Sequence, residues 1–295
     1  MESFKGFCRE QLPRRTPLGN IPFVKWGGSI RDGQNEITLL NTCSIDAGLQ
    51  VLAFLFNVNV KARMFIEKNL SENKGKNWYI KRSLDALMER DSSGCKKIWI
   101  ENVMQLDLKN NMDVYGTEEN NFLEHIGFFV PLKKVRACTH SVCRLYNPEG
   151  SKNLSGVEIV DVLSIRGSTV TAALKLLNEK TLMPHCRECL EPCTESFSFI
   201  GAKPDLLFLC IHGMMRYNEK LQVIAEETSL KSVISVQGTE YTLMAYTMFT
   251  GHHFYCVLCS ENKKIRGDGL KGNFVSHKNT KGHSVSSVWY IKQSK

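Results

Sequence analysis

The run Cys43-Ser-Ile-Asp-Ala-Gly-Leu-Gln-Val-Leu-Ala-Phe-Leu-Phe56 constrains the fold more than any other stretch of the chain. Its apolar residues recur at positions 45, 49, 52, 53 and 56, which is helical spacing. A helix this apolar has to be buried, and the pattern starts it at or near Cys43. Unpaired N–H groups and the helix dipole favour an anion at a helix start, so a cysteine there is placed as a nucleophilic thiolate is. A buried core cysteine satisfies the same pattern, and only a base elsewhere in the chain separates the two readings.

Around this helix the 295 residues, 42 % of them hydrophobic, provide enough apolar surface for one large core or two small ones, which excludes a disordered or low-complexity chain. Residues 1–34 hold Pro13, Pro17, Pro22 and Gly27-Gly28 and are expected to form an irregular N-terminal extension ahead of a domain over 35–295. Met1 to Arg15 is charged throughout, and no apolar run approaches the ~20 residues that span a bilayer, so the expectation is a nuclear or cytoplasmic protein with no membrane partner.

Residues 57–130 carry helical spacing, notably over Lys61–Leu70 and Trp78–Met88. After Gly127 the pattern turns to short β-branched and aromatic runs: 157–162, 196–200, 206–210, 232–236, 241–245, 253–258 and 287–291, interrupted by a helix over Val170–Leu177. Helices followed by an antiparallel sheet make an α+β architecture.

The required base is present. His253 opens one of the strands, and Asp268 follows fifteen positions later, across a turn, where a carboxylate can hold the imidazole tautomer while the other nitrogen faces Cys43. His252 is the alternative base. The eleven cysteines are odd in number, which favours metal or thiol chemistry over a disulfide framework. Cys186-Arg-Glu-Cys189 is a knuckle spacing for one tetrahedral ion, and Cys138 with Cys143 supplies a second pair; His140 and Cys193 are substitutes. With all four positions filled by protein, such a site is a structural zinc and not a catalytic one.

Two segments carry a resemblance. Asn41-Thr-Cys-Ser-Ile-Asp-Ala-Gly-Leu-Gln-Val-Leu52 resembles the cysteine box of the ubiquitin-specific proteases at positions 41, 42, 43, 49, 50 and 52. Tyr241-Thr-Leu-Met-Ala245 with Gly251-His-His-Phe254 resembles their histidine box, and Asp268 stands where the family carries Asp or Asn. The resemblance implies a papain-like fold with a helical thumb, an antiparallel β palm and zinc-bearing fingers near 135–195. It implies catalytic Cys43, His253 and Asp268, and cleavage after the C-terminal Gly-Gly of ubiquitin or a ubiquitin-like modifier such as SUMO.

The departures are specific. Thr38 replaces the family's oxyanion-stabilising Asn five residues before the cysteine, which leaves Thr38, Asn41 and the Cys43 N–H as oxyanion candidates. The Trp-Tyr lead-in to the Asp is absent, and the segment before the histidine is short. This is the pattern of a divergent member, comparable to the SUMO-directed or transposon-associated branches. The 38 Lys and Arg against 30 Asp and Glu give a net charge of +8, which favours an acidic partner. Two rivals follow: an inactive relative that binds a ubiquitin-like protein without cutting it, and a basic nucleic-acid module built on Lys263, Lys264, Arg266, Lys271, Lys278 and Lys281.

Overall fold

The helix that opens at Cys43 runs through the centre of the molecule. A computed structural model describes residues 18, 21–72, 74–146, 157–165, 167–183, 185–211, 214–217, 220–223, 225–260 and 263–294. In it α1 (Cys43–Val58) is buried from Ser44 through Leu55. It packs with α2 (Val60–Asn69), α3 (Gly75–Met88), α4 (Ser92–Ile98) and the one-turn α5 (Glu124–Ile126) to form the thumb. Asn59 and Asp91 start α2 and α4 with side-chain caps, accepting from the Ala62 and Gly94 N–H groups. No helix among the described residues is long and apolar enough to cross a membrane.

Ahead of α1 lies a correction to the expected irregular segment 1–34. Of its described residues, Leu18, Ile21 and Val24 are buried in the core, and Gly28–Asp32 forms a strand, β1. It pairs with β2 (Asn35–Leu40), which runs parallel to β3 (Asn111–Asp113), a strand inside the stretch 57–130 whose spacing reads as helical. Residues 1–17, 19 and 20 lie outside the described residues.

The second half is β-rich, as the patterning implies. β4 (Pro131–Cys138), β5 (Val157–Asp161), β6 (Thr181–Met183) and β7 (Cys193–Phe199) form the fingers sheet in the order β5-β4-β7-β6, with α6 (Val170–Asn178) beside it. The palm takes β8 (Leu206–Cys210), β11 (Val233–Val236), β12 (Thr239–Phe249), β13 (Phe254–Ser260), β14 (Lys263–Asp268), β15 (Asn273–Ser276) and β16 (Ser284–Lys292). Its order is β15-β14-β13-β12-β16-β8, with β11 on β12, all antiparallel. A separate hairpin joins β9 (Met214–Tyr217) to β10 (Lys220–Val223).

Thumb and palm meet through stacked rings. Trp99 stacks on Phe122 at 4.8 Å, Phe122 reaches Trp289 of β16 at 6.4 Å, and Trp289 stacks on Phe208 of β8 at 4.9 Å. Gly48 of α1 is required by this column, because a Cβ there would sit 2.2 Å from the Phe122 ring. Replacing Gly48 by Ala is therefore expected to destabilise the protein although alanine is the better helix former. Overpacking costs ~1–3 kcal/mol against ~1 kcal/mol of helix propensity, and a lowered urea midpoint is the measurement that checks the sign.

Candidate active site

Each catalytic candidate is delivered by a separate piece of local geometry. Cys43 begins α1, half-buried, where the first N–H groups of the helix have no helical carbonyl to bond. His253 closes the turn between β12 and β13. Gly251 takes a positive φ of 97°, and the turn is tied by Thr250 N–H donating to His253 O (3.0 Å) and His253 N–H donating to the Thr250 hydroxyl (3.1 Å). Asp268 ends β14, and the antiparallel register pairing Cys256 with Gly267 sets it beside the start of β13.

The three side chains converge. His253 Nε2 lies 2.8 Å from Asp268 Oδ1, which leaves Nδ1 free of that bond, and His253 and Cys43 border the same small cavity. His252 is exposed and has no part in that pair; the Asp268 partner is His253. Burial disfavours the imidazolium, but the Asp268 hydrogen bond and Cys43 outweigh it, and His253 is raised from 6.5 to about 9. Burial likewise opposes the Asp268 carboxylate, yet His253 and Arg266 hold it down at about 2. Arg266 Nη2 donates to Asp268 Oδ2 at 2.6 Å, and its guanidinium lies 3.7 Å over the Tyr255 ring.

The oxyanion candidates separate. Thr38 is exposed on β2, paired with Ser29 and Asn111, and does not border the space around Cys43. Asn41 does border it. Its backbone is left-handed, φ 54°, and its Nδ2 donates to Asp113 Oδ1 at 2.9 Å, which fixes the amide at the rim.

Cys43 stands between two spaces. On one side is a cavity of about 10 Å³, bordered by Val24, Asp46, Gln50 and His253. On the other is an open groove of about 270 Å³ between the 115–119 loop and the β12–β13 turn, lined by Tyr115, Glu118, Phe249, His252 and Phe254. Glu118 anchors the loop to the palm, accepting from the hydroxyls of Thr247 (2.5 Å), Ser286 (2.6 Å) and Ser287 (3.0 Å). With burial dominant and only hydroxyl donors, its carboxyl is shifted upward.

Sequence reasoning missed Arg266, Glu118, and the buried group formed by Thr42, Asp46, Gln50 and Lys96 behind Cys43. Arg266 had a signal: two residues before Asp268 on a strand, it shares that residue's face. Lys96 had none, because its partners at Asp46 and residues 25–27 are brought to it only by the tertiary fold.

The metal candidates converge as well. β4 and β7 pair from Leu132↔Phe199 to Cys138↔Cys193, so both knuckles sit at one end of a single ladder despite the 43 positions between Cys143 and Cys186. The sulfurs of Cys138, Cys143, Cys186 and Cys189 lie within 4.8 Å of one another, with Cys138 to Cys189 at 3.5 Å and Cys143 to Cys186 at 3.7 Å. A tetrahedral ion with ~2.3 Å bonds to sulfur places its ligands ~3.8 Å apart, whereas a disulfide needs ~2.0 Å. N–H groups of His140, Leu145 and Glu188 point at three of the sulfurs, at 3.3, 3.4 and 3.5 Å, as thiolates require. The donors therefore fit a metal ion. Cys193 is not part of the group, since its thiol donates to His185 O at 3.6 Å.

No protein-family model matches the chain, and no curated relative does. Its fold, however, is shared with solved structures. One is the SAGA DUB module of Ubp8, Sgf11, Sus1 and Sgf73 bound to monoubiquitin, at a TM-score of 0.55 and 10 % identity, with 97 % of this chain and 72 % of that one covered. Another is the papain-like protease of MERS coronavirus, at a TM-score of 0.50 and 12 % identity, covering 91 % and 69 %. The likeness is one of fold: the chain has the α+β architecture of ubiquitin-specific and papain-like proteases.

Two outcomes follow from this geometry. In Asp268→Asn the His253 titration, followed by imidazole NMR, is expected to fall from about 9 toward or below 6.5, because burial is then less opposed. In the native protein the stabilisation from this raised group is complete below 6.5 and is lost as pH rises through about 9. Metal analysis of protein purified without chelator should find about one tightly held ion per chain, lost in Cys186→Ser together with the order of the β4–β7 end.

Proposed function

We propose that the chain is a thiol-dependent isopeptidase that cleaves ubiquitin, or a ubiquitin-like modifier such as SUMO, after its C-terminal Gly-Gly. The single observation that carries this reading is the His253–Asp268 pair beside Cys43, which itself borders an open groove, within the fold shared with a monoubiquitin-bound DUB module and a papain-like protease. A groove of this size and openness suits an extended tail better than a compact ligand.

In this mechanism the Cys43 sulfur, its proton held by His253, attacks the carbonyl carbon of the terminal glycine. The carbonyl oxygen takes negative charge beside the N–H groups that open α1 and the Asn41 amide; exposed Thr38 has no share. Collapse breaks the C–N bond, and His253 gives its proton to the departing lysine amine. His253 then draws a proton from water, whose oxygen attacks the thioester and returns the free carboxylate and the thiol. Asp268, ionised because His253 and Arg266 hold it so, orients the imidazole throughout.

The metal held by the four cysteines is proposed to be a structural zinc, since the thiolates fill all four positions. The net charge of +8 supports an acidic modifier surface as the partner. Of the rival readings, the nucleic-acid module loses two of its basic groups to internal partners: Lys264 pairs with Glu227 at 2.9 Å, and Arg266 with Asp268.

The test is incubation of the purified chain with ubiquitin and SUMO probes that carry a thiol-reactive C-terminus, read by intact mass. One adduct is expected, absent in Cys43→Ala, with hydrolysis of a matching fluorogenic conjugate slowed ~10²–10⁴-fold in His253→Ala. A folded, metal-loaded protein that forms no adduct with either probe overturns the enzymatic reading in favour of a binding-only relative.

A further inference from the structure

Directly behind Cys43 lies an ion pair with no assigned role. Lys96 of α4 is the one lysine among the described residues that is buried, its side chain 2 % exposed. Its ammonium donates to the carbonyls of Lys25 and Gly27, both at 2.5 Å, and stands 3.4 Å from Asp46 Oδ1. Asp46, three residues after Cys43 and so on the same helix face, accepts from the Thr42 hydroxyl at 2.6 Å. Its Oδ1 has no hydrogen-bond partner, and Asp46 lines the cavity that Cys43 and His253 also border.

The same residues bind the segment 21–27 as a strap. Gly27 N–H donates to Thr42 Oγ1 at 2.7 Å, and Gln50 exchanges two 2.9 Å bonds with Pro22 O and Val24 N–H. Further along, Trp26 N–H donates to Gly269 O, next to Asp268. The strap therefore joins the start of α1 to the turn that carries the orienting carboxylate.

A buried ion pair is a poor stabiliser, since two well-packed apolar side chains of the same volume serve at least as well. What apolar side chains cannot do is present charge to the thiol and imidazole. We propose that Asp46 and Lys96 are positioning residues for the Cys43–His253 pair, a balanced couple that bolts α1 to the strap and sets the pH range in which Cys43 is reactive. The Asp46 carboxylate favours a charged His253 and disfavours a charged sulfur; Lys96 does the reverse. The groups facing Asp46 are Lys96 and Cys95 from α4, His253 from the β12–β13 turn, and Thr42 and Cys43 at the start of its own helix. Burial pushes the Cys95 thiol up to about 12, so it stays neutral, and burial raises Asp46 only to about 6 against the pull of Lys96, Thr42 and His253, so it is charged at neutral pH.

The inference rests on Cys43 as the nucleophile, and its test needs no modifier. The full chain is alkylated with iodoacetamide across pH, and the Cys43 peptide is quantified by mass spectrometry. The pH of half-maximal alkylation is expected to move down in Asp46→Asn and up in Lys96→Met, by about tenfold in rate on the rising limb, and to return near wild type in the double variant. A purely structural role would move both single variants the same way, or neither, and either result overturns the proposal. Should Lys96→Met not fold, the double variant leaves no unpaired buried charge and must lie above Asp46→Asn alone; equality overturns it as well. His253→Ala is the separate control: an unchanged Cys43 profile in that variant defeats the nucleophile reading itself.

Discussion

The packing of α1 against the palm sheet is the interaction on which the rest depends. Twelve consecutive residues of α1, Ser44 through Leu55, are buried, so the helix cannot slide or turn without exposing core surface. That packing puts its N-terminus, and Cys43 with it, at the line where thumb meets palm. The Trp99, Phe122, Trp289 and Phe208 column holds the same junction from the other side, and Gly48 lets α1 approach Phe122 closely enough for it to form. The candidate site is thus a consequence of core packing: Cys43 comes from one layer, and His253 with Asp268 from the other.

Three buried carboxylates at this junction show how partners decide a group's role. Asp268 receives an imidazole and a guanidinium, and stays ionised at about 2. Glu118 receives three hydroxyls, which satisfy its oxygens without compensating its charge, and burial shifts it upward. Asp46 has one hydroxyl and one ammonium at 3.4 Å, and burial raises it to about 6 against their pull. All are nearly inaccessible to solvent, so burial alone does not distinguish them. The donor set does, and it leaves an anion beside the histidine, a fastener on the groove loop, and a paired carboxylate on α1.

What could be read from the sequence follows from how local each signal is. The 3.6-residue period of Ile45, Leu49, Leu52 and Phe56 is a local property, and α1 begins at Cys43 as the period implies. The strand over 287–291 marks itself by Val288, Trp289, Tyr290 and Ile291, that over 206–210 by a short unbroken apolar run, and both lie in the palm. β1 and β2 do not: Gly28-Ser-Ile-Arg-Asp32 and Asn35-Glu-Ile-Thr-Leu-Leu40 alternate polar residues with few apolar ones, because that hairpin buries mainly Ile30, Ile37 and Leu39. β4 hides for a similar reason, as Lys134 and Arg136 occupy positions that only pairing with Glu158 and Glu195 makes comfortable in a sheet. The sequence favours His253 over His252, and the β13–β14 register brings the His253 ring to Asp268.

Thr38, standing where the ubiquitin-specific proteases that the cysteine box resembles carry an asparagine, bears on chemistry more than on architecture. A residue five before Cys43 here lies on β2, with its backbone engaged by Asn110 and Asn111 and its side chain in solvent, so no small rotation turns the Thr38 hydroxyl to the sulfur. Removing one oxyanion donor typically costs ~10²–10³ in rate, not all of catalysis, as long as other donors are aimed at the developing charge. The opening N–H groups of α1 are candidates for such donors, and they are held by the same packing that holds Cys43. Asn41 adds a side-chain amide whose direction is set twice, by a left-handed backbone and by the 2.9 Å bond to Asp113. A rigid helix start and a tethered amide require little reorganisation as charge forms, which is the property an oxyanion site needs and one that a more mobile donor would lack.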